Sequence, residues 1–215
     1  MCIQETKLQS CDDFLCSSVW GPASHAYSYR PSIGASGGLL LVWDTSELEV
    51  WASVSGDHFL MIHGRFIKSS EEFYLFNVYA PCDYSAKQVF WSSLSAQLEL
   101  IGGQKVCVCE DFNVVRCREE RCSVRGGHMS DDFVHFNRFI DDNFLVYLPL
   151  CGCKLTWFKG DKISMSRLDR FLLYEAWCLS WPDCLQISHL RGGLSDHCPI
   201  LLSVDDENWR PRPTQ

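Results

Sequence analysis

Apolar residues occur along the chain mostly in short runs of the kind that form β-strands. In the first half these runs cover residues 39–43, 48–54, 58–67 and 73–79. Gly37 and Gly38 precede the first run, Asp44 ends it, and polar residues lead into the second, which predicts a hairpin between the two. Pro81 ends the fourth run, because proline cannot donate a hydrogen bond to a β-ladder.

The apolar spacing changes to that of an α-helix after Ser85. The run from Ser85 to Gln88 fits a capping box, in which the first and fourth residues satisfy backbone groups at a helix start. Gly102 and Gly103 then favour the end of the helix. The residues expected on its buried face are Phe90, Leu94, Leu98 and Ile101, at intervals of four, four and three residues.

The second half continues this mixture of strands and helices. A buried strand is predicted over residues 105–109, and a helix from Ser130. The residues expected to face inward on that helix are Phe133, Phe136 and Ile140. Further strands are predicted over residues 154–158, 168–174, 184–190 and 199–204. We therefore predict an α/β sandwich in which two mixed sheets pack together with the helices outside.

The length of 215 residues suits one domain with a substantial core. We expect that domain to span residues 1–204, and residues 205–215 to form a tail. No apolar run reaches the roughly 18 residues that a membrane span requires. The N-terminus has neither the basic region nor the long apolar region of a secretory signal. These features predict an intracellular protein that does not enter membranes, with the nucleus as one candidate compartment.

The charge balance limits how the chain could bind nucleic acid. A net charge of −8 argues against a broad basic surface for non-specific binding. An enzyme whose metal-binding carboxylates are themselves acidic is compatible with this balance. Basic residues cluster over residues 116–121, where interleaved acids indicate a solvated surface.

Thirteen cysteines are many for a chain of this length. Without a secretory signal, a disulfide framework is not expected. The pairs Cys107/Cys109 and Cys151/Cys153 have a two-residue step that places both thiols on one face of a strand. Structural zinc sites commonly have a Cys-x-x-Cys spacing instead. Buried free thiols that act as small apolar side chains are therefore the favoured interpretation.

Carboxylates lie at several of the predicted strand ends. Glu5 and Asp196 offer the oxygen ligands that a hard cation such as Mg²⁺ prefers. Asp111 follows a buried strand and has the chemistry to orient and deprotonate an attacking water. Asp169 lies within an otherwise apolar strand, where an unpaired carboxylate would be costly, so a partner is expected.

Hydrogen-bond donors that suit a pentavalent phosphorus transition state lie at the same strand ends. Tyr79 ends one strand, Asn113 follows another, and His197 begins the last. An imidazole needs an orienting partner, which Asp169 could provide. Together these residue types suit metal-assisted hydrolysis of a phosphodiester.

Each of these residues also has an ordinary structural interpretation when it is taken alone. Asp111 could be a turn residue, and Tyr79 an ordinary strand aromatic. Asp169 could pair with Arg167 or Arg170. The functional interpretation is favoured because the runs occur together.

Five runs of the sequence, taken together, resemble the motifs of the endonuclease/exonuclease/phosphatase superfamily, the fold of apurinic endonucleases and DNase I-like enzymes. They are Gln4-Glu5-Thr6-Lys7, Asn77-Val78-Tyr79-Ala80-Pro81, Asp111-Phe112-Asn113, Arg167-Leu168-Asp169-Arg170 and Ser195-Asp196-His197-Cys198-Pro199-Ile200. They occur in the family's order and cover nearly the whole chain. The connecting segments are most similar to plant LINE-type (non-LTR) retrotransposon endonuclease domains.

The resemblance implies a Mg²⁺- or Mn²⁺-dependent endonuclease domain that acts on DNA. Glu5 would bind the metal, and Asp196 would complete the metal and water site. Asp111 would position or deprotonate the attacking water, with Asn113 beside it.

The same resemblance assigns the remaining residues to the phosphate. Tyr79 would contact the scissile phosphate. Asp169 would orient His197, which would stabilise the developing charge or move a proton. Two other functions stay open: a non-catalytic relic with the same fold, and a phosphoesterase that acts on a small phosphate ester or a lipid headgroup.

The sequence departs from the family pattern in four places. The family begins with a strand that carries an Asn, in a Trp-Asn-x-Arg-Gly type run, and we expect that strand and most of the next helix to be missing before Met1. Glu110 replaces the usual Gly, which adds a charge and strains the backbone if φ must be positive. Gly192-Gly193 adds a residue, and Tyr147 replaces the Asp usual in plant relatives. These departures predict an impaired enzyme with exposed strand edges.

Overall fold

The computed structural model describes residues 1–34, 37–123, 132–161, 163–188 and 195–204. The helices are α1 Asp13–Trp20, α2 Tyr84–Ile101, α3 Asp132–Asp142 and α4 Glu175–Ser180, with a 3₁₀ helix at Arg118–Glu120. The strands are β1 Cys2–Gln4, β2 His25–Arg30, β3 Leu39–Asp44, β4 Leu48–Ser55, β5 Phe59–Phe66, β6 Glu72–Tyr79, β7 Val106–Asp111, β8 Arg121–Cys122, β9 Val146–Tyr147, β10 Leu150–Gly152, β11 Trp157–Phe158, β12 Met165–Ser166, β13 Asp169–Leu173, β14 Cys184–Ser188 and β15 Ile200–Val204. The predicted tail at 205–215, the predicted helix start at Ser130 and the glycine pair at 192–193 lie outside the described residues.

The first layer of the molecule is a six-stranded sheet with the order β4-β5-β6-β7-β13-β9. Its β6 and β7 are parallel, and its other neighbouring strands are antiparallel. Helices α2 and α3 cover one face of this sheet. The buried residues that they contribute are Phe90, Trp91, Leu94, Leu98, Phe136, Phe139 and Ile140. The predicted inward faces are therefore confirmed, except that Ile101 and Phe133 are only partly buried and that Phe139 is also buried.

The second layer consists of two separate three-stranded sheets, β1-β3-β2 and β10-β14-β15. Strand β1 packs over β6 and β7, whereas β15 packs over β13. Because β7 and β13 are neighbours in the first layer, the outer edges of β1 and β15 face each other above them. Within the described residues, neither of these two edges has a partner strand. The second layer is thus divided into two sheets between β1 and β15.

A second apolar core fills the space between the two layers. Its buried members include Leu39, Leu41, Leu60, Ile62, Phe73, Phe171 and Leu173. Cys107 and Cys109 both face this core, as their two-residue spacing predicts, while Val106 and Val108 face the helices. The architecture is the predicted α/β sandwich, with sheet against sheet and helices outside. No helix in the described part of the chain is both long and apolar enough to cross a membrane.

The hairpin predicted between the first two apolar runs is wrong. Strand β3 lies between β1 and β2 in the second layer, whereas β4 pairs with β5 at the edge of the first. The turn between β3 and β4 therefore carries the chain from one layer to the other. Two apolar runs separated by polar residues have the same pattern whether the strands pair or change layers.

The start of α2 and the strand at 154–158 also differ from the prediction. Asp83, not Ser85, caps α2, because its carboxylate accepts a hydrogen bond from the N–H of Ala86 at 2.9 Å. An aspartate here satisfies an N–H that the first helical turn leaves free. Of residues 154–158, only Trp157–Phe158 form a strand, which pairs with β12.

Candidate active site

Tyr79, Asp111 and Asp169 form one row across the six-stranded sheet. Tyr79 is the last residue of β6 and lies opposite Asp111, the last residue of β7. Asp111 in turn lies opposite Asp169, the first residue of β13. Both carboxylates are only 4% exposed. The register of three neighbouring strands therefore places three of the predicted site residues side by side at one end of the sheet.

His197 joins this row through Asp169. Its Nδ1 lies 2.9 and 3.0 Å from the two carboxylate oxygens. Burial lowers the pKa of the imidazole, but the hydrogen bond to Asp169 and the charges of Asp169, Asp111 and Asp196 outweigh it and raise the pKa to about 9. The imidazolium form is therefore favoured at neutral pH, which makes His197 a charged hydrogen-bond donor.

The alternative pairing of Asp169 with a neighbouring arginine is wrong. Arg170 is fully buried and binds Glu120 at 2.9 Å, and Arg167 lies 3.9 Å from the same carboxylate. The hydroxyl of Tyr147 also donates to Glu120, at 3.1 Å. The solvated surface predicted for the basic run is consequently wrong at Glu120, whose side chain is 12% exposed.

Asp111 is held in a protonation equilibrium near neutral pH. Burial and the negative charge of Asp169 raise the pKa of its carboxyl, and His197 and the backbone N–H of Asn113 partly offset this, which leaves it at about 7. That N–H donates to Asp111 at 2.8 Å. A carboxylate whose pKa lies near the working pH is suited to accept a proton from water.

Tyr79 reaches the carboxylate of Glu5, the residue that follows β1. Its hydroxyl donates a hydrogen bond to Oε1 of Glu5. Burial, and then this negatively charged acceptor, raise the pKa of Tyr79 above its ordinary value. The phenol therefore keeps its proton and stays a donor.

A buried asparagine fixes the strand that carries Glu5. Asn77 is fully buried in β6, and its Oδ1 accepts a hydrogen bond from Nε2 of Gln4 at 2.6 Å. Its Nδ2 donates to the carbonyl oxygen of Leu40 at 3.2 Å. Asn77 thus joins β6 to both β1 and β3, which sets the position of Glu5 above the row.

Asp196 and Asn113 complete the set of seven predicted residues. The indole N–H of Trp157 donates to Oδ2 of Asp196 at 2.9 Å and holds this exposed carboxylate in place. The side-chain amide of Asn113 donates to the carbonyl oxygen of Ala80 at 2.8 Å, which ties the end of β7 to the end of β6. The structure therefore brings the predicted residues together at one end of the sandwich, and their catalytic roles stay predictions.

Thr156 supports the site, although nothing in its sequence context marks it. It is fully buried, and its Oγ1 accepts hydrogen bonds from the N–H groups of Leu168 and Asp169 at 3.0 and 3.1 Å. Its carbonyl oxygen accepts a hydrogen bond from the N–H of Cys198 at 2.6 Å. Thr156 therefore fixes both members of the Asp169–His197 pair. A threonine between apolar residues is ordinary in strands, so the sequence carries no distinctive signal for it.

Solved structures resemble this fold closely, whereas the sequence matches no family model and no curated protein. The AP endonuclease LMAP from Leishmania major has a TM-score of 0.72 at 16% identity, covering 94% of this chain and 76% of that one. The endonuclease domain of TRAS1, a telomere-specific non-LTR retrotransposon, has a TM-score of 0.62 at 14% identity, with coverages of 84% and 80%. An endonuclease/exonuclease/phosphatase from Bacteroides vulgatus has a TM-score of 0.61 at 15% identity, with coverages of 89% and 79%.

This chain has the endonuclease/exonuclease/phosphatase fold. The likeness to structures at 14–16% identity establishes the architecture. In this fold the seven predicted residues lie at strand ends or in the segments next to them.

Among the differences from the family's sequence pattern, the replacement of glycine by Glu110 lies next to the candidate site. Its φ is 98°, a left-handed conformation that glycine adopts without steric cost, so the strain predicted for a larger residue is present. One oxygen of its carboxyl lies within 4.8 Å of the sulfur atoms of Cys2 and Cys109. Burial, followed by the charges of Cys2 and Asp169, raises the pKa of Glu110 well above its ordinary value. The added negative charge is therefore smaller than the sequence alone indicates.

Glu5 and Asp196 have the donor chemistry for a hard divalent cation. Tyr79 occupies one oxygen of Glu5, and Trp157 occupies one oxygen of Asp196, so each carboxylate has a second oxygen to offer. Carboxylate oxygens are the ligands that Mg²⁺ and Mn²⁺ prefer. Neither residue belongs to a group of three closely spaced ligands, and the one such group that the described residues form involves other side chains.

A cavity of about 210 Å³ adjoins Asn113. Lys87, Arg121 and Asp132 line it. Lys87 is 4% exposed, and its Nζ lies 3.1 Å from the carboxylate of Asp132. Two cationic side chains thus lie beside the predicted site of an acidic protein, and one of them is already paired.

Proposed function

We propose that this chain is a Mg²⁺- or Mn²⁺-dependent DNA endonuclease domain of the LINE retrotransposon type, with impaired activity. The observation that carries the proposal is the row of Tyr79, Asp111 and Asp169, with His197 bound to its last member. The likeness to an AP endonuclease and to a retrotransposon endonuclease domain supports a nucleic-acid phosphodiester as the substrate. We propose that the domain spans residues 1–204. Because the proposed substrate is DNA, we also propose that the protein acts in the nucleus.

The protonation states of the site fit hydrolysis of a phosphodiester. Asp111, with a pKa of about 7, accepts a proton from the attacking water as that water approaches phosphorus. His197, with a pKa of about 9, is an imidazolium that stabilises negative charge developing on the phosphate oxygens. Asp169 holds the imidazole ring of His197 in place. The Tyr79 hydroxyl supplies a second hydrogen-bond donor to the phosphate.

Glu5 and Asp196 are the residues that would hold the metal. When bound, Mg²⁺ would neutralise charge on the phosphate and favour attack by an oxygen nucleophile. The protein's own contribution is to fix both carboxylates, through Tyr79 and Trp157 respectively.

Two observations support reduced activity. The edges of β1 and β15 are unpaired within the described residues, and these strands adjoin Glu5 and His197. Glu110 holds a strained backbone next to Asp111. Catalytic groups must be held to within about 0.5 Å, so an unsupported layer lowers the rate even when every group is present.

Nicking of supercoiled plasmid tests this proposal. We expect slow, Mg²⁺-dependent nicking that EDTA stops and that Asp111→Asn abolishes. A matched control is Asp57→Asn, which alters an exposed carboxylate outside the row. Phosphate release from soluble esters without nicking would instead favour the small-ester function, and no turnover of either substrate by the folded chain would favour the relic.

A further inference from the structure

Cys2, Cys109 and Glu110 form a compact group of ligand atoms that the proposed nuclease chemistry does not use. Their two sulfurs and a carboxylate oxygen all lie within 4.8 Å of one another. Among the described residues, no second group of three potential metal ligands is this compact. We propose that this group is a zinc site, distinct from the magnesium residues and independent of the proposed endonuclease function.

The spacing of the sulfurs matches tetrahedral zinc. Two thiolates bound at about 2.3 Å to a tetrahedral zinc ion lie about 3.8 Å apart. The Sγ atoms of Cys2 and Cys109 are 3.6 Å apart. Glu110 supplies an oxygen as the third ligand, and water takes the fourth position, as in zinc sites with three protein ligands.

The chemistry of the group selects a soft, divalent cation. Thiolates favour zinc over magnesium, which prefers oxygen ligands. Two thiolates and a carboxylate would bring three negative charges together between the sheets, and a divalent cation offsets most of that repulsion. Cys109 is fully buried, and Cys2 and Glu110 each keep only a small exposed surface, so the group lies inside the protein.

The backbone of Glu110 is a further observation that points to this site. Its register partner across the ladder is Arg170, which instead binds Glu120. With a φ of 98°, Glu110 breaks the alternation of β7 and joins Cys109 on the side facing β1. Strained residues persist where a local interaction requires them. A bound ion would supply that interaction and would tie β1 to β7.

The sequence could not show this group, because its first member is 107 residues from the second. The spacing of Cys107 and Cys109 gave no zinc motif, and the structure pairs Cys109 with Cys2 across two strands instead. Both thiols lie on the inner face of their layers.

Cobalt titration of the reduced, metal-free full chain tests the site. We expect a sulfur-to-cobalt charge-transfer band that saturates at one equivalent of Co²⁺ and disappears when one equivalent of Zn²⁺ is added. Cys2→Ser and Glu110→Gln should weaken Co²⁺ binding at least about tenfold, on the scale of losing one determinant of a metal site.

A second thiol pair provides the matched control. Cys11 and Cys16 have their Sγ atoms 3.3 Å apart, and within the described residues no third ligand of comparable spacing accompanies them. Cys11→Ser, at a half-buried position like that of Cys2, should leave the band intact. The absence of a band in the folded wild-type chain would overturn the proposal. So would a band that survives Cys2→Ser but is lost in Cys11→Ser, with folding of each variant checked by circular dichroism.

Discussion

Nδ1 of His197 lies 2.9 Å from the carboxylate of Asp169, although the two residues are 28 positions apart in the chain. The pair joins the first layer, at the start of β13, to the segment that leads into β15 of the second layer. Asp169 also lies opposite Asp111 in the ladder. The negative charge of Asp169 therefore acts on both neighbours, and it raises the pKa of Asp111 and that of His197.

Asp169→Asn is expected to lower the pKa of His197 from about 9 toward its ordinary value of about 6.5. The pKa of Asp111 should also fall, because a nearby negative charge is removed. NMR titration of the histidine ring in metal-free protein measures this, with His197→Ala to assign the signal. Because the folded-state pKa of His197 is raised, the pair stabilises the fold fully below about pH 6.5 and loses this effect as pH rises through about 9. An unchanged titration would show that Asp169 does not set the charge of His197.

Glu5→Ala is expected to lower the affinity for Mg²⁺ at least about tenfold, or ~1.4 kcal/mol, because it removes a carboxylate ligand. Isothermal titration calorimetry measures the change. Glu72→Ala, which alters an exposed carboxylate of β6, is the control and should have no effect. Unchanged Mg²⁺ binding in Glu5→Ala would remove Glu5 from the metal site.

Glu120→Gln is expected to lower the free energy of unfolding by about 3–5 kcal/mol, because it leaves the fully buried Arg170 without its counter-charge. Urea denaturation measures this. Glu47→Gln is the matched control, since it breaks an exposed pair with Lys68 and should cost far less. Equal effects of the two substitutions would show that the Arg170 pair is not a buried structural ion pair.

Glu110→Gly is expected to raise the free energy of unfolding of the metal-free chain by about 1 kcal/mol or more, because glycine adopts the φ of 98° without strain. Glu110→Gln keeps the strained backbone and removes only the carboxylate, so any gain it gives reports the burial of that acid, and we expect that gain to be smaller than the gain from Glu110→Gly. Chemical denaturation measures the free energy of unfolding of both variants, and the difference between them separates the effect of backbone strain from that of the carboxylate charge. A gain from Glu110→Gln as large as that from Glu110→Gly would attribute the effect to charge.

The helix α2 and the strand β7 were predictable because each buries one continuous apolar pattern. The change of layer between β3 and β4 was not, since turn residues specify a reversal and not the partner of the returning strand. The cap of α2 was misplaced because Asp83 and Ser85 both have side chains suited to an N-cap. Local patterns therefore gave the elements, and long-range packing decided how they pair.

In the candidate site, too, the sequence identifies individual residues, whereas the fold determines which of them come into contact. Tyr79, Asp111 and Asp169 could be named from their motifs, but only the register of β6, β7 and β13 sets them in one row. Thr156 acts through its hydroxyl and carbonyl oxygens, which hold two segments that the sequence separates. The contact of Cys2 with Cys109 likewise depends on how one layer lies over the other.

The rate of supercoiled-plasmid nicking in Mg²⁺ shows whether the divided second layer and Glu110 limit the endonuclease activity. The rate should be compared between the unmodified chain and an extended version. The extended version carries Glu110→Gly and is preceded by the family's first strand, of the Trp-Asn-x-Arg-Gly type, and a connecting helix. We expect the extended version to nick at least about tenfold faster, equivalent to ~1.4 kcal/mol in the barrier. Asp111→Asn in that version should then lower the rate roughly 100- to 10,000-fold. Equal rates for the unmodified and extended chains, or nicking that persists in Asp111→Asn, would contradict the account.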